Sequence, residues 1–161
     1  MRVLVAALLL AVGLSSNAAA QWSPFNVSDH LRGNTGVGVT ASGEIDGQYG
    51  KRKAELNVFC AENETRIIIA SKPFYVGGDN VTMEYTLNGG PVQKATWGVC
   101  KGDGCIGLWR GAGIPFLKSL YDKALLRMVI HPRHLAPSRL TFPIAGAKEA
   151  FEPLAKLCKW G

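Results

Sequence analysis

The 161 residues, 47% of them hydrophobic and 19% charged, predict a single domain with a buried core and leave little length for a second. The formal net charge of +6 favours anionic partners. Nucleic acid is set aside, because no recognised nucleic-acid motif occurs and the first residues of the chain point out of the cytoplasm.

Met1-Arg2 is followed by an apolar run from Val3 to Leu14, then Ser15-Ser16-Asn17 and Ala18-Ala19-Ala20, the layout of a secretory signal peptide over residues 1–20. Gln21 is the expected mature start. An apolar run of about a dozen residues is too short to span a bilayer, so no transmembrane segment is expected after cleavage. Removing twenty residues, of which only Arg2 is charged, leaves 141 residues with 17 Lys plus Arg against 12 Asp plus Glu, a balance of +5.

Residues 21–52 carry Gly33, Gly36, Gly38, Gly43, Gly47 and Gly50 in a polar background and are expected to be loosely ordered, with at most short strands around Val37 to Thr40. The disulfide-stabilised β-rich domain is expected over 53–161. Ala54, Leu56, Val58 and Cys60 alternate with Lys53, Glu55 and Asn57, the period of a half-buried strand. Ala61 to Glu64 form a polar turn, and Arg66 to Ala70, with three consecutive isoleucines, return as a hairpin partner. After Gly77-Gly78-Asp79-Asn80, residues 81–87 alternate again. Asn88-Gly89-Gly90-Pro91 turns the chain into Val92 to Val99, so the middle reads as a meander.

Phe116, Leu117, Leu120, Tyr121, Ala124 and Leu125 recur at helical spacing and predict a helix over 114–126. Two strands, Leu126 to Ile130 and Leu140 to Ile144, flank the proline-containing turn His131 to Ser138. Ala147, Ala150, Phe151, Leu154, Leu157 and Cys158 fit one apolar face of a closing helix. Pro153 removes the bond to the Glu149 carbonyl and is expected to bend or split it.

Four cysteines, all beyond the leader, read as two disulfides with three possible connectivities. Cys100-Lys-Gly-Asp-Gly-Cys105 can close a tight ring, which leaves Cys60 with Cys158. The long bridge removes about 4.7 kcal/mol of unfolded-chain entropy in the loop model and the short ring about 2. Spacings of 40, 5 and 53 residues do not supply the paired motifs of a zinc site.

The arrangement Cys100-x-x-x-Gly104-Cys105, Phe116-Leu117-x-x-Leu120, the strand to Ile130, and Phe142-x-Ile144-x-Gly146-x-x-x-Ala150-x-x-x-Leu154 resembles the invasion-associated locus B (IalB) family of exported bacterial proteins. The resemblance covers residues 97 to 157. The ending Leu157-Cys158-x-Trp160, together with Cys60, is similar to the VasI-type periplasmic accessory proteins of type VI secretion. Both imply a small β-rich periplasmic or outer-membrane-associated protein without a known catalytic centre, and neither supplies functional residues beyond the cysteines. A bacterial origin makes the sequons at Asn26, Asn63 and Asn80 coincidental.

Candidate contact residues fall in two places. Arg127, His131, Arg133, His134 and Arg139 form the most basic stretch and could grip an anion. Trp109 and Arg110 are of the types that anchor interfaces, although Trp109 is expected to pack as core against the Cys100–Cys105 ring. Lys51-Arg52-Lys53 is a lesser candidate. No third ligand accompanies the two histidines, so neither metal nor cofactor is expected. Ser71-Lys72 point to opposite faces of a strand and cannot act as nucleophile and base. No nucleophile elbow, phosphate loop or zinc-protease motif occurs.

The expectation is therefore a mainly β, sandwich-like antiparallel sheet with one short internal helix and a C-terminal helix. Its role would be non-enzymatic binding or assembly, periplasmic, secreted or outer-membrane associated. The partner would be an envelope or host protein, or an anionic glycan or lipopolysaccharide. The alternatives are an inhibitor of a wall-degrading enzyme, disfavoured because lysozymes are themselves usually basic, and a small periplasmic hydrolase with His131 or His134 as base, which requires a pocket beside that turn.

Overall fold

The computed structural model describes residues 21–29, 34–102 and 104–160, so the expected leader lies outside the described residues. The elements are β1 (Trp22–Asp29), β2 (Asn34–Gly47), β3 (Gly50–Ala61), β4 (Glu64–Ser71), β5 (Asn80–Leu87), β6 (Gln93–Val99) and β7 (Cys105–Leu108). Then come α1 (Ile114–Ser119), β8 (Leu125–His131), β9 (Ser138–Pro143) and α2 (Ala147–Leu157).

The strands run antiparallel in the order β1-β2-β3-β4-β7-β6-β5-β8-β9, and β9 pairs back onto β2. Strands β2 to β9 thus close into an eight-stranded barrel, with β1 as an additional strand. This corrects the sandwich: a sandwich keeps two sheets with free edges, whereas the β2–β9 pairing joins the ends of one sheet. The closure rests on the length of β2, 14 residues. One edge of it receives β1 along Asn34–Ala41 and, further on, β9 along Glu44–Asp46. Gly43 lies between the two contacts, where a Cβ would meet the Thr141 carbonyl and the Phe142 ring. The glycine-rich segment expected to be loose therefore carries two strands. Its glycines lower strand propensity but permit the close approach that closure requires.

Alternation places the core as expected in β3 and β4, where Leu56, Val58 and Cys60 pair with Ile69, Ile67 and Thr65 and are fully buried. Glu62 and Asn63, both at positive φ (55° and 59°), form the two-residue turn between them. The β5–β6 hairpin turns at Asn88 and Gly89, also both at positive φ (51° and 71°). The expected meander is not formed. β7 inserts between β4 and β6, and β5 pairs on its other edge with β8. Only four residues long, with Gly107 inside it, β7 is too short to show periodicity. The Cys100–Cys105 ring is the turn of the β6–β7 hairpin, with Cys100 N donating to Cys105 O at 2.9 Å.

The internal helix stops at Ser119, seven residues short of the predicted end. Asp122 adopts φ 57°, and the Asn88 Oδ1 then accepts hydrogen bonds from Ala124 N (2.9 Å) and Leu125 N (3.0 Å), drawing the chain into β8. In α2, Pro153 does not split the helix, which is unbroken from Ala147 to Leu157 with Phe151 and Leu154 buried. Pro153 is exposed, so the carbonyl it leaves unbonded can face water.

One end of the barrel is closed by α1 and α2 with Leu117, Leu120, Phe151 and Trp160, and by Trp22 edge-on to Phe151 at 4.8 Å. Cys60–Cys158 ties α2 to β3 there. The Trp22 indole donates to Ile144 O (3.3 Å), and Ala145 N donates to Gln21 Oε1 (2.9 Å), which anchors the start of β1 beside the end of β9. At the other end Phe74 and Val76 are buried under the loop between β4 and β5. The interior is apolar and the outer rows carry charged pairs such as Glu44–Lys51 and Glu84–Lys94, unlike the polar-in, apolar-out pattern of a lipid-embedded barrel. No helix among the described residues is long and apolar enough to cross a membrane.

Two outcomes follow for unfolding experiments. The pair Cys60→Ala/Cys158→Ala should lose about 2–3 kcal/mol more stability than Cys100→Ala/Cys105→Ala, as measured by denaturant unfolding. Gly43→Val should destabilise the barrel by about 3 kcal/mol or more, because neither the Thr141 carbonyl nor the Phe142 ring can retreat without opening the seam.

Candidate binding surfaces on the barrel exterior

The register sorts the basic candidates. Arg127 lies opposite Thr141 and Val129 opposite Arg139, so the two arginines are diagonal neighbours on the outer face of β8 and β9. His131 ends β8 on the same face. Arg133 and His134 lie beyond it in the β8–β9 loop, where Arg133 N donates to Val76 O (3.1 Å) and His134 adopts φ 62°. The structure thus brings Arg127, His131 and Arg139 onto one strip and sets Arg133 and His134 at its end.

Acidic groups interleave this strip. Glu84, opposite Val129, sits with one carboxylate oxygen 3.1 Å from Lys94 Nζ and the other 3.6 Å from His131 Nε2. Asp46 lies opposite Arg139, and Glu44 opposite Thr141 forms an ion pair with Lys51 at 2.7 Å. Alternating signs across neighbouring strands stabilise the sheet surface but do not build a single-sign cradle. The Lys94 hydrogen bond and charge, with a smaller contribution from His131, hold the Glu84 carboxyl below its ordinary value. The Glu44 hydrogen bond and charge raise Lys51. Among the described residues no group of three or more His, Cys, Asp or Glu is placed to hold a metal ion.

Trp109 is half-buried on the outer face of the sheet. Its indole lies across Gly98 and Gly107, which face each other in register, so that a Cβ on either would meet it. The disulfide is at the opposite end of β7. An aromatic ring over paired glycines covers backbone that no side chain would otherwise shield.

Beyond Trp109 the outer surface is concave. Phe59, Glu64, Arg66, Ile68, Trp109 and Arg110 line a recess of about 520 Å³. A second recess, of about 490 Å³, includes Phe25, Val27, Asn57 and again Phe59 and Ile68. The shared residues make one groove that spans β1, β3 and β4 and ends at Trp109 and Arg110 in the turn after β7. Its floor depends on Gly38, which sits in register between Phe25 and Phe59 and lets the Phe25 ring lie over β2, 6.3 Å from Phe59. Arg66 is neutralised by Glu64 (3.0 Å) and Glu62 (3.8 Å), whereas Arg110 is exposed and makes no ion pair among the described residues.

Sequence reasoning reached Trp109 and Arg110 but missed Phe25, Phe59 and Ile68. A signal was present. In three consecutive isoleucines on a strand the middle one must face away from its neighbours, and Phe59 continues the polar row Lys53, Glu55, Asn57. Phe25 had no such signal, because β1 was not predicted.

No family profile and no curated protein matches the sequence. Among solved structures, the crystal structure of invasion associated protein B from Bartonella henselae is similar, with a TM-score of 0.57 and 14% identity over 87% of this chain and 95% of that one. The IalB-like fold is therefore supported, and the VasI-type reading of the ending is not.

Titration of the Glu84 carboxyl by NMR at low salt should give a midpoint below the ordinary carboxylate value, and Lys94→Met should raise it. A lowered pKa means that the small stabilisation from Glu84 is present above the unfolded value and disappears as pH falls through the folded one.

Proposed function

We propose that this chain is an exported, non-enzymatic binding protein of the bacterial cell envelope, of the IalB kind, and that it engages a protein partner through the groove of Phe25, Phe59, Ile68, Trp109 and Arg110. The observation that carries the reading is a contiguous recess, in which aromatic and aliphatic side chains alternate with polar and charged ones, on the outside of a barrel whose inside is filled by its own side chains. A recess lined by half-buried aromatic and aliphatic side chains with an arginine at one end suits a protein interaction site. Arg110, exposed and without an ion pair among the described residues, suits a partner segment that presents a carboxylate beside an apolar anchor. Two disulfides fit an oxidising compartment, and the similar fold of a protein named for invasion is consistent with work at the envelope or at a host surface.

In this reading His131 serves the charge network around Glu84 rather than general-base catalysis. The shallow recess beside the β8–β9 loop includes Pro132 and Leu135 but neither His131 nor His134.

The test uses the oxidised mature domain, with Arg110→Glu and Phe59→Ser as separate variants, to capture proteins from envelope extract and from host-cell surface extract at moderate salt. The expected result is one dominant protein retained by the parent and reduced at least tenfold by each folded variant. Equal retention by both variants, or recovery of lipopolysaccharide alone, would overturn the assignment of the groove.

A further inference from the structure

At the barrel end opposite the helices, two tyrosines stand out from the other aromatic residues. Tyr49, in the β2–β3 turn, is 46% exposed and Tyr75, in the β4–β5 loop, is 54% exposed. Their rings lie 6.3 Å apart at an interplanar angle of 57°, forming an open V. The two loops are clamped together by Arg52. One guanidinium nitrogen donates to Gly50 O at 2.9 Å, the other to Pro73 O at 3.1 Å, and the group sits 5.3 Å from the Tyr49 ring centroid. Buried Phe74 holds the Tyr75 loop from beneath. Neither tyrosine hydroxyl has a hydrogen-bond partner among the described residues, in contrast to Tyr85, which is bonded to Gln93 at 2.9 Å.

We propose that Tyr49, Tyr75 and Arg52 form a platform on which an acidic oligosaccharide stacks. Three observations select that ligand class. The hollow beside the rings is about 10 Å³, too shallow to receive an inserted apolar side chain, so the rings offer flat faces rather than a pocket. A pyranose ring presents a C–H face that stacks on such a surface, while its hydroxyls need the donors and acceptors that the free tyrosine hydroxyls, the Gln48 amide and the Ser138 hydroxyl provide at the rim. None of the residues lining the hollow is a carboxylate; exposed Lys72 lies in the Tyr75 loop, and exposed Arg133 lies in the β8–β9 loop, whose Pro132 and Leu135 also line the hollow. Asp46, the acidic residue on β2 nearest this turn in sequence, faces Lys51 and Arg139 across the sheet. The clamp matters as much as the composition, because rings already held in place lose little freedom on binding.

This surface is separate from the groove of Phe25, Phe59, Ile68, Trp109 and Arg110, so either can fail without the other. The experiment titrates the oxidised mature domain with three probes: a heparin-derived hexasaccharide, an oligogalacturonate and maltohexaose. It is read by NMR shift changes and calorimetry at moderate salt. At least one acidic probe should bind with shifts confined to the loops around 48–52, 72–76 and 132–138, and maltohexaose should bind at least tenfold more weakly. A carboxylate-only response would point to uronic-acid polymers and a sulfate-only response to sulfated ones; both support the platform. Tyr49→Ala and Tyr75→Ala should each weaken binding on the order of tenfold, and Tyr75→Phe should retain most of it. Arg110→Glu should leave it unchanged. Absence of binding by all three probes, equal binding of maltohexaose, or affinity unchanged within twofold in a folded Tyr49→Ala/Tyr75→Ala variant would overturn the proposal. Shifts spread over the Arg127–Arg139 strip would assign binding to general electrostatics and overturn it as well.

Discussion

The pairing of β2 with β9 is the contact on which the architecture depends. Three residue pairs, Glu44 to Asp46 against Thr141 to Arg139, convert a nine-stranded sheet with two free ends into a closed barrel. The pairing exists because β2 is long enough to serve two neighbours on one edge, β1 first and β9 second. Gly43 supplies the clearance at the changeover. Closure joins the two ends of the sheet, and the outer edge of the additional strand β1 carries Pro24.

Closure also decides where binding can occur. Inward rows such as Leu56, Val58, Ile69, Met83 and Trp97 meet in the middle and are almost wholly buried, while the helices and the Cys60–Cys158 bridge seal one end. A small eight-stranded barrel is wide enough for its own side chains and little else. Recognition must then use the outer wall or the loop ends. On the wall, glycines open space that aromatic rings fill: Phe25 over Gly38, and Trp109 over Gly98 and Gly107. The same substitution of glycine for a side chain thus produces both the shielding of the backbone and the concave apolar surface.

The electrostatics show why a list of basic residues misleads. Arg127, His131 and Arg139 do share a face, but Glu44, Asp46 and Glu84 lie between or beside them. Those acids come from β2 and β5, far away in sequence, and their position depends on pairings that the local pattern does not contain. The triple basic run behaves in the same way: Lys51 is taken up by Glu44, and Arg52 is drawn over the Tyr49 ring.

Much of this protein was legible from the chain alone. Alternation in β3 and β5, the isoleucine run of β4, the Asn-Gly turn, the apolar face of the last helix as far as Leu154 (Leu157 is exposed) and both disulfides rest on interactions between residues close in sequence, or on the arithmetic of four cysteines, and these survive in the structure. β1 and β7 did not announce themselves, because one carries Pro24 in a polar stretch without clear alternation and the other is four residues long. Barrel rather than sandwich, the groove that joins Phe25 to Trp109, and the pairing of Tyr49 with Tyr75 were decided by tertiary structure. Each depends on strands or loops distant in sequence being brought side by side, and a period of two specifies which face a residue takes without specifying its neighbour.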